Sequence, residues 1–127
     1  MSDLRQPFAQ GPVAGDTGWL AESDDELVFR IESLPADHAH DDDLVAVVQS
    51  NRHFFVRQEA AKKIRDPDRL KAFAGDRHIG QILARQMRRD TDIAYLEQLL
   101  RESRHLEVRN AATVQLRLLK AALGKQG

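Results

Sequence analysis

The sequence predicts an all-α protein: a short α-solenoid of about three helix-turn-helix repeats with an N-terminal capping helix. Three observations carry this. Apolar residues recur at helical spacing in three nine-residue stretches. Asp-x-Asp recurs at Asp41, Asp66 and Asp90. An Arg-His pair recurs as Arg52-His53, Arg77-His78 and Arg104-His105, using three of only five histidines.

The first elements differ from the repeats. Residues 1–17 are rich in Gly, Pro and polar residues and read as a flexible N-terminal arm. Residues 18–40 read as a capping helix and an acidic linker. Ser23, with Glu26 three residues on, forms a capping-box signature. The helix is expected from about Asp24 to Leu34, with Leu27, Phe29, Ile31 and Leu34 as an imperfect apolar pattern and Pro35 ending it. Trp19 and Leu20 are expected to pack beside it. A repeat array needs such an atypical end to cover its open apolar edge.

The repeat domain spans residues 41–124, as units 41–65, 66–89 and 90–124, whose starts lie 25 and 24 residues apart. Each unit opens on Asp-x-Asp, because an Asp carboxylate accepts the free N–H groups of a first helical turn and suits the helix dipole. Pro67 fits the first helical position, where a missing N–H costs nothing. A short apolar helix follows: Leu44, Val47 and Val48; Leu70 and Phe73; Leu96, Leu99 and Leu100. Next comes a corner, where the Arg-His pair sits and where Asn51, Asp76 and Ser103 are capping residue types. The second helix is the aligned stretch. Positions 1, 5 and 9 share one helical face: Val56, Ala60 and Ile64; Ile79, Leu83 and Met87; Val108, Ala112 and Leu116. Residues Val114 to Leu123 prolong the last helix, with Gly124 as its expected stop.

"VRQEAAKKIRDPDRLKAFAGD" resembles the leucine-rich-repeat-variant and HEAT-like α-solenoids of bacteria, and the resemblance covers about residues 41–119. Val56-Arg57-x-x-Ala60 and Val108-Arg109-x-x-Ala112 match the family pattern, while Ile79-Gly80-x-x-Leu83 departs from it. The resemblance implies that Arg57 and Arg109 stabilise turns between repeats. Some variant-repeat proteins hold a cysteine-bound iron–sulfur cluster; this chain has no cysteine.

A chain of 127 residues suffices for one domain with a core. The absence of cysteine excludes disulfides, thiolate metal sites and thiol catalysis. No apolar run is long enough to span a membrane, and no signal-peptide core is present, so a cytoplasmic protein is expected. The net charge of −1 hides a split. Residues 1–43 hold two basic and 11 acidic side chains, whereas residues 44–127 hold 17 basic and 9 acidic ones. The basic part suits an acidic partner, or an acidic segment folded back on it.

Enzyme chemistry has no carrier here: there is no Gly-rich phosphate loop, no His-Glu-x-x-His and no nucleophile elbow. The chain therefore reads as non-enzymatic, with no cofactor. His38 and His40 in "ADHAHDDD" are weak metal candidates, set against a solvated linker. The leading function is a scaffold for protein–protein interaction. The alternative is binding of nucleic acid or another polyanion, through Arg52, Arg57, Arg77, Arg85, Arg88, Arg89, Arg104 and Arg109. His53, His78 and His105 join the candidate binding residues as members of the Arg-His pairs, which also read as mere corner residues. A second alternative is an accessory subunit or a lyase-like cofactor-handling protein, by analogy with phycobilin lyases built from HEAT-like repeats.

The aligned register makes one firm demand. Leu83→Asp is expected to unfold the array, because an unpaired carboxylate would replace a central buried side chain. A circular-dichroism melt checks this, and an unchanged melt would refute the register.

Overall fold

Six α-helices and three short 3-10 segments make up the regular structure among the described residues, 18–35, 37 and 39–126, of a computed structural model. The expected arm and His38 lie outside the described residues. The chain divides into two compact units, residues 1–65 and 66–127.

The first unit begins with a 3-10 turn, Gly18–Ala21, and helix α1, Asp24–Glu32. The capping box forms as its residues dictate. The Ser23 hydroxyl accepts from Glu26 N at 3.2 Å, and the Glu26 carboxylate accepts from Ser23 N at 3.0 Å. Leu27 and Ile31, one turn apart, are fully buried, and α1 packs against helix α3, Phe54–Lys63. Phe29 departs from the expected apolar face and is 73% exposed. The helix ends two residues short of Leu34, where the Ser33 hydroxyl donates to the Phe29 carbonyl. Lys63 then donates from Nζ to the carbonyls of Glu32 and Leu34, putting a cation where the helix exposes unpaired acceptors.

Helix α2, Asp41–Gln49, buries Leu44, Val47 and Val48. Asp41 does not cap it. His40 occupies the cap position, and its side chain makes no capping hydrogen bond. The buried Asp41 carboxylate instead accepts from Arg65 N at 3.0 Å, tying the start of α2 to the segment after α3.

The second unit opens as expected at Asp66, which accepts from Asp68 N, with Pro67 following. Its first helix is a 3-10 segment, Pro67–Phe73, that buries Leu70 and leaves Phe73 half-buried. Helix α4, Arg77–Gln86, starts at Asp76, whose carboxylate accepts from His78 N and Ile79 N. A 3-10 turn, Asp90–Asp92, leads into helix α5, Ile93–Glu102, which buries Leu96 and Leu99 and leaves Leu100 exposed. Helix α6, Leu106–Gln126, continues through Gly124, so that glycine does not stop it. A single glycine without left-handed backbone only weakens a helix, by about 1 kcal/mol relative to alanine.

All nine aligned residues are buried, none more than 6% exposed. Each set begins three residues after the residue that precedes α3, α4 or α6: His53, Asp76 and His105. The Arg-His pair does not keep this register. Arg52-His53 and Arg104-His105 lie just before their helices, whereas Arg77-His78 are the first two residues inside α4. Asn51 and Ser103 also fall outside the cap position; the Ser103 hydroxyl accepts from His105 N instead. The repeated feature is the buried face, because burial tolerates no slip while a cap accepts any side chain with a suitable acceptor.

Arg57 and Arg109 hold their own corners rather than turns between units. Arg57 Nε donates to the Val48 carbonyl and Arg109 Nη1 to the Ser103 carbonyl, both at 2.7 Å. Gly80 stands at the corresponding place in α4. A Cβ there would lie 2.9 Å from Val108 Cγ2 and 3.2 Å from the Ala74 carbonyl oxygen. Glycine therefore permits the close approach of α4 to α6, which is why the Val-Arg pattern lapses there. Gly80→Ala is expected to destabilise by about 1–3 kcal/mol despite alanine's better helix propensity, since neither a stiff valine nor a carbonyl yields easily. In a melting double-mutant cycle, Val108→Ala should recover much of that loss.

Candidate interaction surface

The eleven arginines and histidines expected to bind are shared between the two units, and they divide by what they already hold. Arg52 is committed within the first unit: its guanidinium reaches Asp24 at 2.8 Å and the carbonyls of Leu20 and Glu22 at 2.6 and 2.5 Å. His53 caps α3, with Nδ1 accepting from Phe55 N at 3.1 Å, and its ring lies 4.4 Å from that of Phe54. His78 is half-buried in the first turn of α4. His105 Nε2 lies 3.0 Å from the Gly75 carbonyl oxygen, so that pair bridges two corners of the second unit. Arg109 holds the Ser103 carbonyl.

Arg89 is the most heavily engaged. It reaches Asp68 through Nη2 at 2.8 Å, and Asp92 through Nε at 2.9 Å and Nη2 at 2.8 Å. Its backbone N–H also donates to Asp92, whose carboxylate serves Arg89 rather than capping α5. The Arg89 and Lys71 bonds hold the Asp68 carboxyl down to about 2. Burial pushes the Asp92 carboxyl up, but the Arg89 bonds together overcome it and leave it below the ordinary value. The Arg89 guanidinium is correspondingly raised. Nearby, Lys71 Nζ sits 4.5 Å from the Tyr95 ring centre, and burial followed by the Asp68 charge raises that phenol.

Arg77, Arg85, Arg88 and Arg104 remain exposed, without a carboxylate partner among the described residues. Two of them share a site. Arg85 and Arg88 line a groove of about 770 Å³ between α4 and α6. Its other walls are Gln81 on α4 and Glu107, Asn110, Ala111, Val114 and Leu118 on α6, so two guanidinium groups stand against one carboxylate, and Leu119 lies deeper. Val114 is 52% and Leu118 59% exposed, and their four-residue spacing places them on one stripe of α6. Beneath, buried Gln115 donates from Nε2 to the Met87 carbonyl at 3.0 Å, tying α6 to the end of α4. The groove thus has an apolar floor and a cationic edge on a braced pair of helices. Arg104 and His105 instead border a smaller hollow with Gly75, Tyr95 and Gln98.

Sequence reasoning placed Arg85 and Arg88 among the binding candidates and missed Val114 and Leu118, which it treated as mere prolongation of the last helix. Their signal was present. Both fall off the face that Val108, Ala112 and Leu116 define, so "VQLRLL" carries more apolar side chains than one buried face uses. The metal reading gains no cluster: among the described residues no three His, Asp or Glu side chains group to hold an ion. His40 pairs with Asp43 at 3.3 Å and lies against Trp19, with ring centres 5.7 Å apart. No described helix is long and apolar enough to cross a membrane. Compared with family models, curated proteins and solved structures, the chain matches none.

The Asp68–Arg89–Asp92 bridge predicts acid sensitivity. Both carboxyls sit below their ordinary values, so the stability they add is present above about pH 4 and is lost as pH falls towards 2. Melts across that range should show the loss, and it should shrink in Asp92→Asn. Arg89→Ala should cost about 1–3 kcal/mol at neutral pH, by leaving buried Asp92 without its main donor.

Proposed function

We propose that this chain is a non-catalytic helical-repeat scaffold, of the HEAT-like or leucine-rich-repeat-variant kind, that binds an acidic amphipathic segment of a protein partner. The groove between α4 and α6 carries this reading. It pairs the exposed side chains of Val114 and Leu118 with Arg85 and Arg88, which have no carboxylate partner among the described residues. Covering both apolar side chains contributes on the order of 2–3 kcal/mol, and the two guanidinium groups orient a partner and speed its approach. The repeat assignment is supported by the common register of three buried stretches, each following a helix corner.

The polyanion reading draws less support. Arg52, Arg89 and Arg109 are occupied by carboxylates and carbonyls of their own units. A nucleic acid would also find no row of exposed aromatic side chains beside Arg85 and Arg88 on which to stack bases.

The test is fluorescence anisotropy with three probes: an acidic helical peptide with leucines four residues apart, its lysine counterpart, and a short single-stranded oligonucleotide. The acidic peptide should bind, more weakly as salt shortens the Debye length from about 10 Å at 0.1 M to about 3 Å at 1 M. Leu118→Asp should weaken it about tenfold or more without changing the melt. Equal binding by wild type and variant, or preference for the oligonucleotide, would overturn the proposal.

A further inference from the structure

The two compact units carry opposite charge. Residues 1–65 hold 7 basic and 12 acidic side chains, a net −5, and residues 66–127 hold 12 and 8, a net +4. Each unit also exposes an apolar feature within its own charge. In the second unit this is the α4–α6 groove. In the first it is Phe29 on α1, 73% exposed beside a hollow that it lines with Glu22, Glu26 and Leu34. Asp25 and Glu26 precede Phe29 by four and three residues and are exposed, so they flank the ring on the helix surface. Arg30, the cation of that face, is held by Glu22 through Nε at 2.9 Å. What remains outward is an aromatic side chain bordered by carboxylates. On the groove, Arg85 and Arg88 border Val114 and Leu118 and outnumber the one carboxylate of its lining, Glu107.

We infer that the α4–α6 groove receives the Phe29 face of α1 from a second copy of this chain, in a head-to-tail contact. Phe29 seats against Val114 and Leu118, and Asp25 and Glu26 approach Arg85 and Arg88. This inference rests on the reading of the groove as a protein-docking site and names its occupant. The two faces are different surfaces, so the contact is heterologous. Each open assembly leaves one groove and one Phe29 face unused, and association proceeds to closed rings of two or more copies or to open chains.

Sedimentation velocity of the full chain at low salt tests it. The mass should rise above the monomer with concentration and fall back as salt is added. Phe29→Asp and Leu118→Asp both alter exposed side chains, and unchanged melts should accompany both. Each variant alone should associate at least about tenfold more weakly than wild type. An equimolar mixture of the two should form a one-to-one dimer that does not extend. The Phe29 variant keeps a working groove, and the Leu118 variant keeps a working Phe29 face. A wild-type chain that stays monomeric, variants that associate undiminished, or a mixture that stays monomeric would each overturn the head-to-tail contact. If the acidic helical peptide still binds in a Leu118-dependent way, the groove remains a docking site for another protein. If it does not, the docking reading falls as well.

Discussion

The close approach of α4 to α6 at Gly80 is the constraint on which the second unit depends. A Cβ on residue 80 would lie only 2.9 Å from Val108 Cγ2, so the two helices meet backbone to side chain. That approach brings Gln115 within reach of the Met87 carbonyl and sets the separation at which Arg85 faces a floor built by α6. The same glycine breaks the Val-Arg pattern seen at Arg57 and Arg109. The departure in the middle stretch is therefore a packing requirement, and the corner bond made by the arginine is given up for it.

Polar side chains close the corners, and this decides which of them are left for a partner. An unpaired helix-end carbonyl costs free energy when buried, so a guanidinium or ammonium placed there is held firmly. Arg52, Arg57, Lys63 and Arg109 all serve carbonyls, and Arg89 serves two carboxylates. A count of arginines therefore overstates the positive surface. The cations that remain beside apolar side chains, Arg85 and Arg88, are few but share one groove.

Exposed apolar side chains on a small protein are ordinary one at a time and informative when grouped. Val114 and Leu118 are grouped by helical spacing and by the groove they line. Phe29 stands on a helix whose other face, Leu27 and Ile31, is fully buried. Neither feature is needed by the core of its own unit. Each lies next to charge that is mostly of one sign, Arg85 and Arg88 against Glu107 at the groove and Glu22 and Glu26 against Arg30 at Phe29, which lends such surfaces direction as well as adhesion.

Much of the local structure was legible in the residues. The capping box at Ser23 and Glu26, the Asp66-Pro67 start, the buried faces of α3, α4 and α6 and the all-helical character of the described residues follow from short-range chemistry: spacing, caps and ring constraints. The Arg-His pairs stand at the corners where they were expected, yet identical neighbours in sequence took different places there, before the helix at His53 and His105 and inside it at His78. Whether an aspartate caps a helix, as at Asp66, or turns to Arg65 N or Arg89, as at Asp41 and Asp92, depends on which donor the fold brings near. Likewise, the sequence by itself determined that Val114 and Leu118 are apolar and helical. Only the tertiary structure decided that they lie outside the core, since burial is a property of which faces meet and not of any one helix.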